Sequence, residues 1–152
     1  MNAFETFGYD RLNTGNGGDA VVRVSQIMYI GPITASICQG VGAANCVNHD
    51  SFVFTERISF GNGGLGDPNT LGDPSTNNIS SSGAVTNYAT DGGAKLLFAG
   101  QSAMNALWMQ SGNGRAPLVD GQVAYVVEFY VRSPHLSLGN LGGGAQYARY
   151  FF

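Results

Sequence analysis

The chain has 152 residues, a formal net charge of −3, 43% hydrophobic residues and only 11% charged ones. Its length allows one domain with a real core, and its apolar content disfavours disorder. Lys95 is the sole lysine, so there is no basic patch to neutralise phosphates and no polybasic membrane anchor. Nucleic-acid and membrane-surface partners are therefore disfavoured.

Charge is replaced by 23 glycines together with Asn, Ser and Thr, residues suited to turns. The expectation is many short strands joined by polar, Gly-rich loops. So little surface charge also protects poorly against self-association. That is a liability for a free enzyme, less so for a subunit packed against its own copies.

Residues 1–19 form a polar lead dotted with Phe4, Phe7 and Tyr9 and ending in Gly15-Asn16-Gly17-Gly18. Residues 1–16 lack the basic-then-apolar pattern of an export signal. That fits use without Sec-type export, or a chain trimmed to its mature form with an added Met. No apolar run nears the ~18 residues of a spanning helix.

Residues 20–30 are rich in Val and Ile and are closed by Gly31-Pro32, which predicts a strand. Residues 34–38 predict a short second strand and residues 40–50 a loop. Residues 51–60 predict another strand. Alternation puts Phe52, Phe54, Ile58 and Phe60 on one side and Val53, Thr55, Arg57 and Ser59 on the other.

Residues 61–90 hold little apolar content and read as a long, protruding loop arm, a feature uncommon in compact domains unless functional. Within it Leu65-Gly66-Asp67-Pro68-Asn69-Thr70 is followed by Leu71-Gly72-Asp73-Pro74-Ser75-Thr76. The Asp-Pro steps favour type I turns, and two copies fall short of the about three repeats that stabilise a solenoid. Either these are stacked turns, or they are a contact arm reaching a neighbouring subunit. The stretch at residues 10–18 echoes that at residues 56–64. We read the echo as two uses of one device, a strand end entering an Asn-Gly turn with positive φ.

Residues 95–99 predict a short strand, and residues 102–110 fit one or two helical turns as well as they fit a strand. The most strongly patterned stretch is residues 119–132. Asp120-Gly121 is a turn dipeptide. After it Val123, Tyr125, Val127, Phe129 and Val131 share one side of a strand, and Ala124, Val126, Glu128, Tyr130 and Arg132 the other. The first side is apolar and the second mixed. A Gly-rich turn at residues 139–144 leads to a last strand at residues 145–152. Its aromatics Tyr147, Tyr150, Phe151 and Phe152 belong in the sheet or in an interface.

Few constellations carry chemistry. Gly61-Asn62-Gly63-Gly64-Leu65-Gly66 matches G-x-G-x-x-G after a strand, but a turn follows where a nucleotide site needs a helix. Cys38 and Cys46 are a possible disulfide. As zinc ligands they would need both His49 and His135, at a spacing unlike known fingers. The two histidines, with Asp50 beside His49, lack a nucleophile elbow. Asp67, Asn69 and Asp73 offer oxygens without a calcium-loop pattern. Glu56 and Glu128 sit on strands, where ion pairing is the commoner use. Asn78-Ile79-Ser80 is a sequon that matters only in a eukaryotic secretory pathway. No catalytic, cofactor or metal residue is assigned.

The expected fold is all-β: a single domain over residues 1–152, an antiparallel sandwich or jelly-roll-like barrel of about seven to nine strands. The expected function is that of a non-enzymatic structural subunit, a virion capsid, decoration or tail-type protein such as a bacteriophage carries. Its partners would be copies of itself and a larger protein assembly, in a virion or extracellular assembly. Candidate interface residues are Leu65, Asp67, Pro68, Leu71, Asp73 and Pro74 of the arm, with Tyr147, Tyr150, Phe151 and Phe152. The Cys38–Cys46 loop followed by strands resembles a pilin headgroup, which implies a filament subunit as one alternative. A glycan or host-surface module using an exposed aromatic platform, Trp108 with tyrosines, is another.

Overall fold

The computed structural model describes residues 20–62, 71–75, 78–109, 118–132 and 145–152. Strands β1 (Ala20–Ile30), β2 (Ser51–Gly61), β3 (Val123–Arg132) and β4 (Ala145–Phe151) form one sheet of four in the order β2-β1-β3-β4. Helices α1 (Ser36–Val41) and α2 (Phe98–Met109) and short 3-10 turns at Ala43–Asn45 and Gly92–Ala94 complete the described elements. The fold is thus mostly strand with few helices, consistent with the all-β expectation.

The sheet is antiparallel. Asp50 N–H donates to Gly31 C=O at 3.1 Å, and Asn62 N–H donates to Ala20 C=O at 2.9 Å. These bonds tie each end of β1 to the opposite end of β2. Tyr29 N–H donates to Gln122 C=O at 2.8 Å, joining the end of β1 to the start of β3. Strands β3 and β4 pair from Val126 opposite Phe151 to Arg132 opposite Ala145. At the end of β2, Gly61 has φ +96° and approaches Ala20 so closely that a Cβ would sit 2.3 Å from its carbonyl oxygen. Only glycine fits there; the Asn-Gly turn expected after it, and residues 10–18, lie outside the described residues.

The chain divides into two compact units whose boundary crosses β1, β2 and β3. Among the described residues one unit holds residues 25–57, 71–75, 78–109 and 118–125. Its buried side chains include Ile27, Ile30, Phe52, Phe54, Leu71, Leu96 and Met104. The ring of Tyr29 lies 5.2 Å from that of Phe52, tilted by 54°.

Two expectations fail in this unit. Residues 34–38 enter α1 instead of a strand. Asp120 explains why: its Oδ1 accepts from Gly31 N–H at 2.8 Å, and its Oδ2 from Ser36 Oγ at 2.8 Å and Ile37 N–H at 2.9 Å. A carboxylate from the β3 turn thus satisfies donors at the first turn of α1. Residues 95–99 make a single bridge, Lys95 with Val53, and then enter α2, which resolves the helix-or-strand ambiguity as helix over residues 102–109; residue 110 lies outside the described residues. Gly100 and Met104, one turn apart, are the buried face of α2. A Cβ on Gly100 would stand 3.0 Å from the Leu71 backbone, so glycine lets the helix pack close.

Part of the 61–90 stretch packs inward, around residues 71–74. Leu71 and Pro74 are buried. Arg57, buried on β2, donates from Nη1 to Gly72 C=O at 2.6 Å and lies 3.2 Å from Asp73 Oδ1. Its guanidinium stacks 5.0 Å from the Phe54 ring centroid. The Arg57 side of β2 is therefore buried as well as the phenylalanine side, while Phe60 is exposed.

The second unit holds residues 20–24, 58–62, 126–132 and 145–152 among those described. Val21 and Tyr130 form a small core with Tyr147 packed against it. Along β3 the mixed side, Ala124, Val126, Glu128 and Tyr130, is buried, while Val123, Tyr125 and Phe129 of the apolar side are exposed.

Candidate assembly surface

A sheet edge carries a row of unpaired N–H and C=O groups, ready to template another strand. The β2 edge is closed by the chain itself. Gln101 Oε1 accepts from Phe52 N–H at 2.8 Å while its Nε2 donates to Phe52 C=O at 2.7 Å. Further along, Val85 N–H donates to Thr55 C=O at 2.9 Å and Arg57 N–H to Gly83 C=O at 2.7 Å. Glu56 bridges Ala84, and Val53 bridges Lys95. Asn48 anchors the segment that does this: its Nδ2 donates to Tyr88 C=O at 2.8 Å and Asp91 C=O at 2.7 Å.

The opposite edge, β4, differs. Among the described residues its backbone pairs with β3 and with no further strand. It reads Ala145-Gln146-Tyr147-Ala148-Arg149-Tyr150-Phe151, without proline or lysine. Those are the usual devices that keep an edge from pairing.

One face of the β3–β4 pair is locked. Glu128 lies opposite Arg149 and is only 4% exposed. Tyr147 donates its hydroxyl to Glu128 Oε1 at 2.6 Å and accepts from Arg149 Nε at 2.8 Å and Nη2 at 2.6 Å. Arg149 Nη2 also sits 3.6 Å from Glu128 Oε1. Burying a carboxylate is costly unless it is paired and hydrogen-bonded. Tyr147 and Arg149 of β4 supply such partners to the inward-facing Glu128. Burial raises the Tyr147 pKa, and the adjoining Glu128 carboxylate raises it further, against the pull of Arg149. A phenol so held is a poor proton donor and a poor nucleophile at neutral pH.

The other face is bare. Phe129 is 38% exposed, Tyr150 62% and Phe152 76%. Tyr150 lies opposite Val127, and Ala148 opposite Phe129, so the two rings stand diagonally across the pair.

The candidate interface residues thus separate. Tyr150 and Phe152 are exposed, and Phe151 and Tyr147 are half-buried. Leu71 and Pro74 are enclosed within their own unit and have no surface to give a neighbour; Asp73 is exposed but engaged by Arg57. Leu65, Asp67 and Pro68 lie outside the described residues, as does His135, and nothing is described of the Trp108 side chain. Sequence reasoning missed Phe129 and Tyr125, because alternation marks two sides without saying which is covered.

Cys38 and Cys46 form a disulfide, which removes both as zinc ligands. His49 Nδ1 lies 3.0 Å from Asp50 Oδ2, but Ser51 Oγ donates to the His49 carbonyl rather than to the ring. No His, Cys, Asp or Glu group able to hold a metal occurs among the described residues, and no helix there is long and apolar enough to cross a membrane.

No protein-family model, curated protein or solved structure matches this chain.

Proposed function

We propose that this protein is a non-enzymatic structural subunit that works by assembling with copies of itself or onto a larger particle, in the manner of a virion capsid, decoration or tail protein. The observation that carries the reading is the contrast between the two sheet edges. One is closed by Gln101 and residues 83–96. The other is aromatic, carries the single charge of Arg149, and adjoins exposed Phe129, Tyr150 and Phe152. An unguarded edge beside an apolar face is an aggregation hazard for a monomer and an asset for a subunit.

In this reading each interface buries more than ~1,000 Å² and involves no catalytic step or cofactor. The sheet belongs to a sandwich or jelly-roll-like barrel. Burial of both Val53 and Phe54, neighbours on opposite sides of β2, supports cover on both faces. The disulfide favours an oxidising site such as a virion or an extracellular assembly.

Light scattering across a wide concentration range, followed by electron microscopy, tests this. Growth into particles or oligomers is expected, and a monomer at every concentration would overturn the reading. The exposed Phe129 and Tyr150 rings also favour a second reading, a glycan-binding module that stacks sugars on aromatics. It expects a monomer whose tyrosine fluorescence changes on a glycan panel.

A further inference from the structure

We infer that two copies of this chain join through β4, antiparallel, about a two-fold axis at Ala148, making one continuous sheet. The inference rests on the assembly reading above and names its partner and register.

Strand β4 has seven residues, Ala145–Phe151, and Ala148 is its midpoint. An axis there opposes every residue of the strand with one of the second copy: Ala145 with Phe151, Gln146 with Tyr150, Tyr147 with Arg149. Any other centre leaves part of the strand unmatched. A two-fold axis normal to the sheet keeps each side chain on its own face, so only registers centred on a residue are compatible with the pleat.

Charge selects the same register. Arg149 is the one charged residue of β4. Centring on Arg149 would oppose two guanidiniums, and like charges directly opposite are destabilising. Centring on Ala148 instead sets each Arg149 opposite Tyr147 of the second copy, on the face where Arg149 already lies 5.3 Å from its own Tyr147 ring centroid. The axis itself passes through an alanine, one of the two smallest side chains of the strand. Exposed Tyr150 of each copy is carried to the junction and loses water contact there.

A charge swap at the axis tests this. Ala148 is partly exposed on the open face, so a longer polar side chain has room to reach water. A148K places two lysines opposite each other and is expected to weaken self-association roughly tenfold or more; A148E is expected to do the same. An equimolar mixture of the two is expected to restore association, because only this register opposes residue 148 with residue 148. The wild-type chain gives an independent readout should either variant fail to fold. Alternate β4 amides should gain hydrogen-exchange protection as concentration rises.

If the protein assembles but neither β4 protection nor rescue by mixing is seen, the β4 junction is wrong and the assembly reading stands. If the protein stays monomeric throughout, both fall.

Discussion

The side-chain amide of Gln101 pairs with the backbone of Phe52 as a neighbouring strand would, accepting from its N–H at 2.8 Å and donating to its C=O at 2.7 Å. The same Nε2 reaches Leu96 C=O at 3.2 Å, so one residue of α2 seals the start of the β2 edge. Gln101→Leu keeps the volume and removes all three bonds. It leaves the part-buried Phe52 N–H unpaired, while Phe52 C=O keeps the Leu96 N–H at 3.1 Å; the expected cost is about 1–2 kcal/mol in urea unfolding. A change within ~0.5 kcal/mol, the ordinary range for surface substitutions, would show that water replaces the amide.

Tyr147→Phe removes the only phenol between Glu128 and Arg149. A hydrogen bond to a charged group contributes about 1.5–3 kcal/mol, so a loss in that range is expected at neutral pH. The pH profile gives a separate check. Because the Tyr147 pKa is raised in the folded chain, its contribution is complete below the ordinary tyrosine value of about 10 and falls as pH rises past it toward the folded value. The variant should therefore lose less stability above about pH 10 than the wild type. Some alkaline slope should remain, since burial and then Asp50 raise Tyr29 as well.

Asp120 should show the opposite sign. Burial alone would raise its pKa, but hydrogen bonds from Ile37, Gly31 and Ser36 together outweigh that and hold it below the usual carboxylate value. Its contribution is present above about pH 4 and is lost as pH falls through the lowered folded value. Asp120→Asn cannot accept with both side-chain atoms. It should cost about 1–2 kcal/mol at pH 7 and flatten the acid limb of the stability curve. An unchanged acid limb would mean the α1 tether does not depend on the charge.

Ser25 is fully buried on β1, and its hydroxyl has no hydrogen-bond partner among the described residues. Ser25→Ala removes that desolvated group and leaves little void. Thermal unfolding should show a change between neutral and about 1 kcal/mol more stable. A loss above ~1 kcal/mol would mean the hydroxyl is satisfied in solution.

Phe129→Ser and Tyr150→Ser touch the open face. Both side chains are substantially exposed, so the monomer should change by no more than about 1 kcal/mol. Self-association, followed by sedimentation, should weaken at least several-fold. Loss of fold together with association would instead place these rings in the core of a larger sheet structure.

Much of this architecture is legible in the order of residues. Strand β1 spans the residues that Val and Ile content and the Gly31-Pro32 stop mark out. Strand β3 begins just past the Asp120-Gly121 turn, and β4 takes up the aromatic end. Local chemistry suffices there: β-branched and aromatic side chains suit a pleated surface, and glycine permits the positive φ that ends or turns a strand. The same local reasoning missed α1, whose start is held by a carboxylate 84 positions from Ser36 in the chain.

What the sequence by itself determined is where the chain extends, where it turns, and that one side of β3 is more apolar than the other. Only the tertiary structure decided which side is covered. Alternation has a period of two and is blind to direction; the choice falls to partners far along the chain. Tyr147 and Arg149 of β4 pair with the buried Glu128 and so support the inward turn of the mixed side, with Phe129 outside. Arg57 likewise draws Gly72 and Asp73 in against β2, where composition alone suggested a projecting arm.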